Sequence, residues 1–116
     1  MGKPTMQPKV KVWVTFGNDV KLGDGRAQLL ELIDKRGSIQ KAVAEFGMSY
    51  RNAWGYLWEL ERAAGFLLLE RGPGGGPASG TRLTRKGRAF VAHYWQYKSG
   101  VVDSVGRQFK RAFKPT

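Results

Sequence analysis

SIQKAVAEFGMSYRNAWGYLWELERAAG, residues 38–65, has the outline of two helices joined by a tight turn that contains glycine. The first is short and closes at Phe46; Gly47 supplies a left-handed turn residue, and Ser49 caps the start of a longer helix. A two-turn helix followed at once by a longer one is the pattern of a DNA-binding helix-turn-helix. Nucleic-acid recognition is therefore the leading expectation.

The longer helix sorts by angle at about 100° per residue. Ala53, Leu57, Leu60 and Ala64 share one arc, flanked by Tyr50 and Trp54, and Trp54 is assigned to the core side. Arg51, Gly55, Trp58, Glu59 and Arg62 occupy the opposite arc, and Gly65 ends the helix. Beyond it, residues 67–71 form an apolar strand, GPGGGPASG at 72–80 a loop, and residues 81–83 the returning strand. A hairpin in that position is the wing of a winged helix-turn-helix, and the wing is assigned to residues 67–84.

Upstream, Ser38 caps a helix in which Ile39, Ala42, Val43 and Phe46 repeat at helical spacing. Asp24 is placed as the cap of an earlier helix that carries Ala27, Leu29, Leu30, Leu32 and Ile33 to about Arg36, where Gly37 stops it. Val10, Val12, Val14 and Phe16 alternate with Lys11, Trp13 and Thr15, the pattern of a half-buried strand. The turn Gly17-Asn18-Asp19 and the return at 20–22 complete a β-hairpin. Residues 1–8 read as a flexible arm.

Downstream, Thr84 caps a last helix reaching about Phe113. Its apolar residues form two stripes, Phe90, Tyr94, Tyr97, Val101 and Val105 beside Val91, Trp95, Val102, Phe109 and Phe113. One stripe suffices to dock a terminal helix on its own domain, so the second implies another subunit. Val91, Trp95, Val101, Val102, Val105 and Phe109 are the dimerisation residues expected from this pattern. Ser99-Gly100 marks a potential break, since each helical glycine costs about 1 kcal/mol relative to alanine.

The fold expected is α+β, mainly α: a winged helix-turn-helix with an N-terminal β-hairpin and a long C-terminal dimerisation helix. It divides into an arm (1–8), a DNA-binding domain (9–98) and a helical extension (99–116). The 116 residues suffice for one core, and 41% hydrophobic content is that of a folding chain. A net charge of +11 calls for a polyanionic partner, nucleic acid first and an anionic membrane surface second. That charge is uneven: residues 1–36, 37–71 and 72–116 carry +3, 0 and +8. The absence of cysteine removes disulfides, thiolate metal sites and cysteine nucleophiles. With no apolar run of membrane-spanning length and no apolar leader, a cytoplasmic protein is expected.

A family resemblance now becomes specific. LGDGRAQLLELIDKRGSIQKAVAEFGMSYRNAWGYLWELERAAGFLLLER, a glycine-rich gap, then TRLTRKGRAFVAHY resemble the N-terminal domain of molybdate-dependent, ModE-type transcriptional regulators. The likeness runs from about Leu22 to Tyr97 in separated blocks: GSI, GMSYRNAW, LLLER and LTRKG. It implies a winged helix-turn-helix related to that of LysR-type regulators, acting as a DNA-binding homodimer. Members of that family also carry a C-terminal pair of oxyanion-binding domains. This sequence has no SARN-like molybdate motif, so the molybdate effector is not carried over and any effector is left unknown.

A helix N-terminus presents free N–H groups and positive partial charge to phosphates. Ser49, Tyr50, Arg51 and Asn52 stand there, with Arg51 suited to guanine O6/N7 and Asn52 to adenine N6/N7. Ser49 as a mere cap and Tyr50 as a core residue are the plainer alternatives. Gly55 either admits close approach of DNA or relieves crowding between Trp54 and Trp58. Arg62 is a phosphate ligand or a solvated charge. Ser38, Gln40 and Lys41 sit where the first helix of the motif crosses the backbone, and Arg71, Arg82 and Arg85 supply cations around the wing. Lys86 and Arg88 add long-range potential.

Catalysis finds no footing. GPGGGPASG lacks the GxxxxGK[ST] arrangement and precedes a strand. His93 stands alone, and Glu59 and Glu61 diverge around their helix, so no acid–base pair, metal site or cofactor is expected. The double-stranded-DNA reading has two rivals: a low-specificity architectural DNA coater, and an adaptor that docks proteins through its last helix.

Overall fold

A computed structural model describes residues 2, 4–17, 19–72 and 80–114. Strands β1 (Trp13–Phe16) and β2 (Val20–Gly23) pair antiparallel, in register from Trp13↔Gly23 to Phe16↔Val20. The ladder is shorter than the alternation beginning at Lys9, because its partner ends at Gly23, where the chain enters a helix. Val14 and Phe16 still face the core, and Trp13 and Thr15 face outward. Asn18 of the expected turn lies outside the described residues.

Helix α1 (Asp24–Arg36) is capped by Gly23 and not by Asp24, which forms no side-chain cap bond. The Asp24 carboxylate instead accepts from the Tyr94 hydroxyl at 2.5 Å and pairs with Lys98, which ties α1 to the last helix. Helices α2 (Ile39–Phe46) and α3 (Tyr50–Ala64) begin as the sequence predicts. Ser38 Oγ accepts from Lys41 N at 3.1 Å, and Ser49 Oγ from Asn52 N at 3.0 Å. Gly37, Gly47 and Gly65 close the three helices at φ of 73°, 84° and 80°, left-handed values that favour glycine.

Leu22, Leu29, Leu30, Ile33, Leu60 and Leu68 are the largest fully buried side chains. Ile39, Val43, Ala53 and Leu57 extend this core through α2 and α3. Phe46, expected to join them, is 37% exposed.

Strands β3 (Leu69–Arg71) and β4 (Thr81–Leu83) form a second antiparallel pair, Leu69↔Leu83 to Arg71↔Thr81. Leu67 lies outside the ladder and is exposed. The loop expected at 72–80 falls, at 73–79, outside the described residues. The hairpin is tied to the helices. Thr81 N donates to Gly37 O at 2.8 Å and Leu83 N to Asp34 Oδ1 at 2.9 Å. Leu68 N and Leu69 N both donate to Glu61 Oε2, at 2.7 and 3.0 Å.

Helix α4 (Arg85–Ala112) starts on its Thr84 cap and runs unbroken through Ser99-Gly100, so the expected break is absent. A helical glycine lowers propensity but keeps its backbone hydrogen bonds, and the neighbouring turns carry it. At Gly87 an added Cβ would lie 2.4 Å from Leu68 O, a close approach that only glycine allows. The helix is about 42 Å long at 1.5 Å per residue, and the chain measures 66 × 35 × 23 Å.

The body covers α4 by length and not by stripe. Phe90, Val91, Tyr94 and Trp95, drawn from both stripes, meet the core. Val91 is 3% exposed, so its assignment to a subunit interface is corrected: its own domain fills that role. Trp95 likewise packs on the core and donates through Nε1 to Glu31 Oε1 at 3.1 Å. Tyr97, Val101, Val102, Val105, Phe109 and Phe113 are not among the residues packed on the core.

Candidate nucleic-acid interface

Because Ala53, Leu57 and Leu60 point inward, the opposite arc of α3 is turned to solvent. Arg51, Asn52, Gly55 and Arg62 are all exposed there. Arg51 and Asn52 make no side-chain hydrogen bond or ion pair among the described residues. A Cβ added at Gly55 would meet nothing within 4 Å, Trp58 included. The helix therefore does not need glycine at 55 to separate its tryptophans.

Trp54 is not a core residue. It is 36% exposed, and its Nε1 donates to Tyr50 Oη at 2.9 Å. The Arg71 guanidinium lies 4.7 Å above the Trp54 ring, and Arg62 lies 4.5 Å above Trp58. The indole faces thus form a shelf beside β3 on which two arginines rest, and this stacking orients cations without neutralising them.

The remaining sequence-predicted residues are placed unequally. Gln40 and Lys41 are exposed on α2. Ser38 is 8% exposed, and its hydroxyl oxygen accepts from Lys41 N. Ser49 is exposed, and its hydroxyl caps α3. Arg82 is exposed but paired with Glu70 directly across the hairpin at 2.9 Å. Arg85 is exposed at the start of α4. Arg88 pairs with Asp34 and Lys98 with Asp24, so three cations of the basic last third are matched by carboxylates.

On the other flank of α3 lies a cationic cleft that sequence reasoning missed. Lys11, Trp13, Lys21, Arg26 and Tyr56, with Asp19 at one side, line a hollow of about 430 Å³. The Tyr56 hydroxyl donates to Lys21 O at 2.5 Å, fastening α3 to β2. Burial pushes the Tyr56 phenol up to about 12, against a lowering by Arg26, so it stays protonated and keeps donating. The Arg26 guanidinium lies 4.6 Å above the Tyr56 ring and donates through Nη1 to Met48 Sδ at 3.2 Å, in the turn before α3. The signal was the outward set of the first strand, Lys11 and Trp13, facing the same side as Lys21.

Among the described residues no group of three or more His, Cys, Asp or Glu side chains is placed to hold a metal ion. No helix among them is long and apolar enough to cross a membrane.

The solvent-facing arc of α3, with Arg51 and Arg62 beside Glu59, is entered through a short turn and flanked by two hairpins. No protein-family model matches the chain. Curated relatives do. The chain is 35% identical over 89 residues to the DNA-binding transcriptional dual regulator ModE of Escherichia coli (strain K12), covering 77% of this chain and 34% of that protein. It is 40% identical over 73 residues to the molybdenum transport protein ModE of Azotobacter vinelandii, 63% and 27% of the respective lengths. It is 31% identical over 86 residues to the molybdenum-pterin-binding protein MopA of Rhodobacter capsulatus, 74% and 32%. The shared region is thus related to a part of the ModE and Mop proteins, and it spans about a third of their length.

Proposed function

We propose that the chain is a sequence-specific, double-stranded-DNA-binding transcriptional regulator that acts as a homodimer through a winged helix-turn-helix. In this reading α3 enters the major groove, and the β3–β4 hairpin follows the backbone or the minor groove as the wing. The observation that carries it is the solvent-facing arc of α3, on which Arg51, Asn52, Gly55 and Arg62 are all exposed. Arg51 and Asn52 are the base readers, since both side chains suit bidentate pairing with purines. Arg62, Arg71, Gln40 and Lys41 hold phosphates. Arg82 and Arg85 add positive potential near the wing.

The relative named as a DNA-binding transcriptional dual regulator supports the same class of partner. The uncovered half of α4 supports the dimer. Tyr97, Val102 and Phe113 are 51%, 43% and 60% exposed along it. Residues 9–98 then serve as the DNA-binding unit and the extension from 99 onward as the dimer contact.

Selection of bound duplexes from a random or genomic pool tests the reading. A pseudo-palindromic site is expected, with half-sites one or two helical turns apart at ~34–36 Å per turn. Its affinity should exceed that for random DNA by ~10³ or more. A ratio near unity would make the protein an architectural coater, and no retained duplex at physiological salt would leave the protein-adaptor rival.

A further inference from the structure

In the cationic cleft between the first hairpin and α3, Tyr56 and Arg26 help to hold the fold, but the lysine charges are not used for it. Lys11 and Lys21 are exposed and make no ion pair among the described residues, and Trp13 is left 52% exposed beside them. Only Asp19 offsets the three cations that line the hollow. Lys21 Nζ lies 5.8 Å from the Trp13 ring, and Arg26 is held by Tyr56 and Met48. Two of the three cations, Lys21 and Arg26, are therefore positioned in advance against aromatic walls, and Lys11 lines the same hollow.

The cleft also stands in a particular place. Arg26 touches the α2–α3 turn through Met48, and Tyr56 belongs to α3, two turns after the Ser49 cap. Asn52 lies one turn before Tyr56 on the same flank. The Trp54–Arg71 shelf lies on the opposite flank, toward β3. Each edge of α3 thus carries a cation standing over one of its aromatic rings, Arg71 from β3 over Trp54 and Arg26 from α1 over Tyr56.

We infer that Lys11, Lys21 and Arg26 form a second phosphate-binding site, which grips the sugar-phosphate backbone of the duplex on the side of α3 away from the wing. This rests on the DNA reading and deepens it. Trp13 and Tyr56 form the walls against which the strand runs, and the lysines supply charge without reading bases. A groove-bound helix is bordered by phosphates on both sides, so contacts from both hairpins fix its depth and register.

Phosphate-ethylation interference on the selected duplex, compared between wild type and K11A/K21A, tests this. Both lysines are exposed, and an unchanged melting temperature will show that the variant folds. The wild type should show interference at two separate clusters of phosphates per half-site, and the variant should lose one cluster alone. Affinity for selected and random duplex should fall by the same factor, and the slope of log K against log salt should become shallower by about two. An unaltered footprint and slope would overturn the inference and leave the DNA reading standing. So would an equal loss in K110A/K114A, which would reduce the effect to general attraction. Chemical shifts at Lys21 and Trp13 on adding inorganic phosphate, with the duplex footprint unaltered, would assign the cleft to a free anion and overturn it as well. A wild type that binds no duplex would remove the underlying reading itself.

Discussion

The guanidinium of Arg71 lies 4.7 Å above the indole of Trp54, so the last residue of β3 rests on the second turn of α3. The β3–β4 hairpin and α3 thus share a contact at the surface proposed to meet DNA. Exposed cation–π pairs contribute about 0.5–1 kcal/mol. A double-mutant cycle of Trp54→Ala and Arg71→Ala, read by urea unfolding, should give a coupling energy in that range. Strict additivity would mean that the stacking contributes nothing to holding the two elements together.

Glu61 holds the hairpin from beneath, because one carboxylate oxygen accepts from both Leu68 N and Leu69 N. Glu61→Ala leaves two N–H groups without their acceptor, and Leu68 is fully buried. Its cost should be about 1–3 kcal/mol in the free energy of unfolding. Glu61→Gln keeps an amide oxygen at the same reach and should lose clearly less. Equal losses in the two variants would mean that the charge, and not the acceptor geometry, fixes the strand.

The helices were legible because their ends carry local signals: Ser38, Ser49 and Thr84 cap, and Gly37, Gly47 and Gly65 close. What failed depended on distant partners. Asp24 looked like a cap, but Tyr94 and Lys98 lie 70 and 74 residues away and claim its carboxylate. Trp54 fell beside the core arc, yet Arg71 and Tyr50 give its indole a place at the surface. The stripes of α4 were read around its circumference, whereas the body covers only its first half. Lys11, Lys21 and Arg26 are apart in sequence, and strand pairing with the Tyr56 bond brings them together. Arg51 and Gly55, by contrast, lie on the free arc that angular spacing along a single helix predicts.

Acid should loosen the attachment of α4. The hydrogen bond from Lys98, and after it the one from Tyr94, hold the Asp24 carboxyl below its ordinary range. A carboxylate whose folded-state pKa is depressed adds stability above its unfolded value of about 3.9, and that stability disappears as pH falls through the lower folded value. Wild type should therefore exceed Asp24→Asn in stability at pH 6, and the gap should narrow as pH falls below about 4. Unfolding curves across that interval check it; a constant gap would detach the effect from titration.

Arg51→Ala should change what the protein reads more than whether it folds. Its side chain is exposed and pairs with nothing among the described residues, so melting should shift little. Loss of a bidentate base contact costs roughly 1–3 kcal/mol, confined to one base pair of each half-site. Repeating the duplex selection with the variant should show relaxed preference at that position alone. An unchanged site would exclude Arg51 as a base reader.

Gly55 separates stability from binding most sharply. Inside a helix, alanine is favoured over glycine by about 0.8–1 kcal/mol. An added Cβ here would meet nothing within 4 Å, so no clash opposes the gain. Gly55→Ala should therefore raise stability by up to about 1 kcal/mol. On the proposed groove face, however, the new methyl group stands between α3 and the DNA, and duplex affinity should fall although the fold is firmer. Thermal unfolding and duplex titration of the one variant give both signs. Higher stability with undiminished affinity would place position 55 away from the nucleic acid, and with it the centre of the arc on which the recognition helix was assigned.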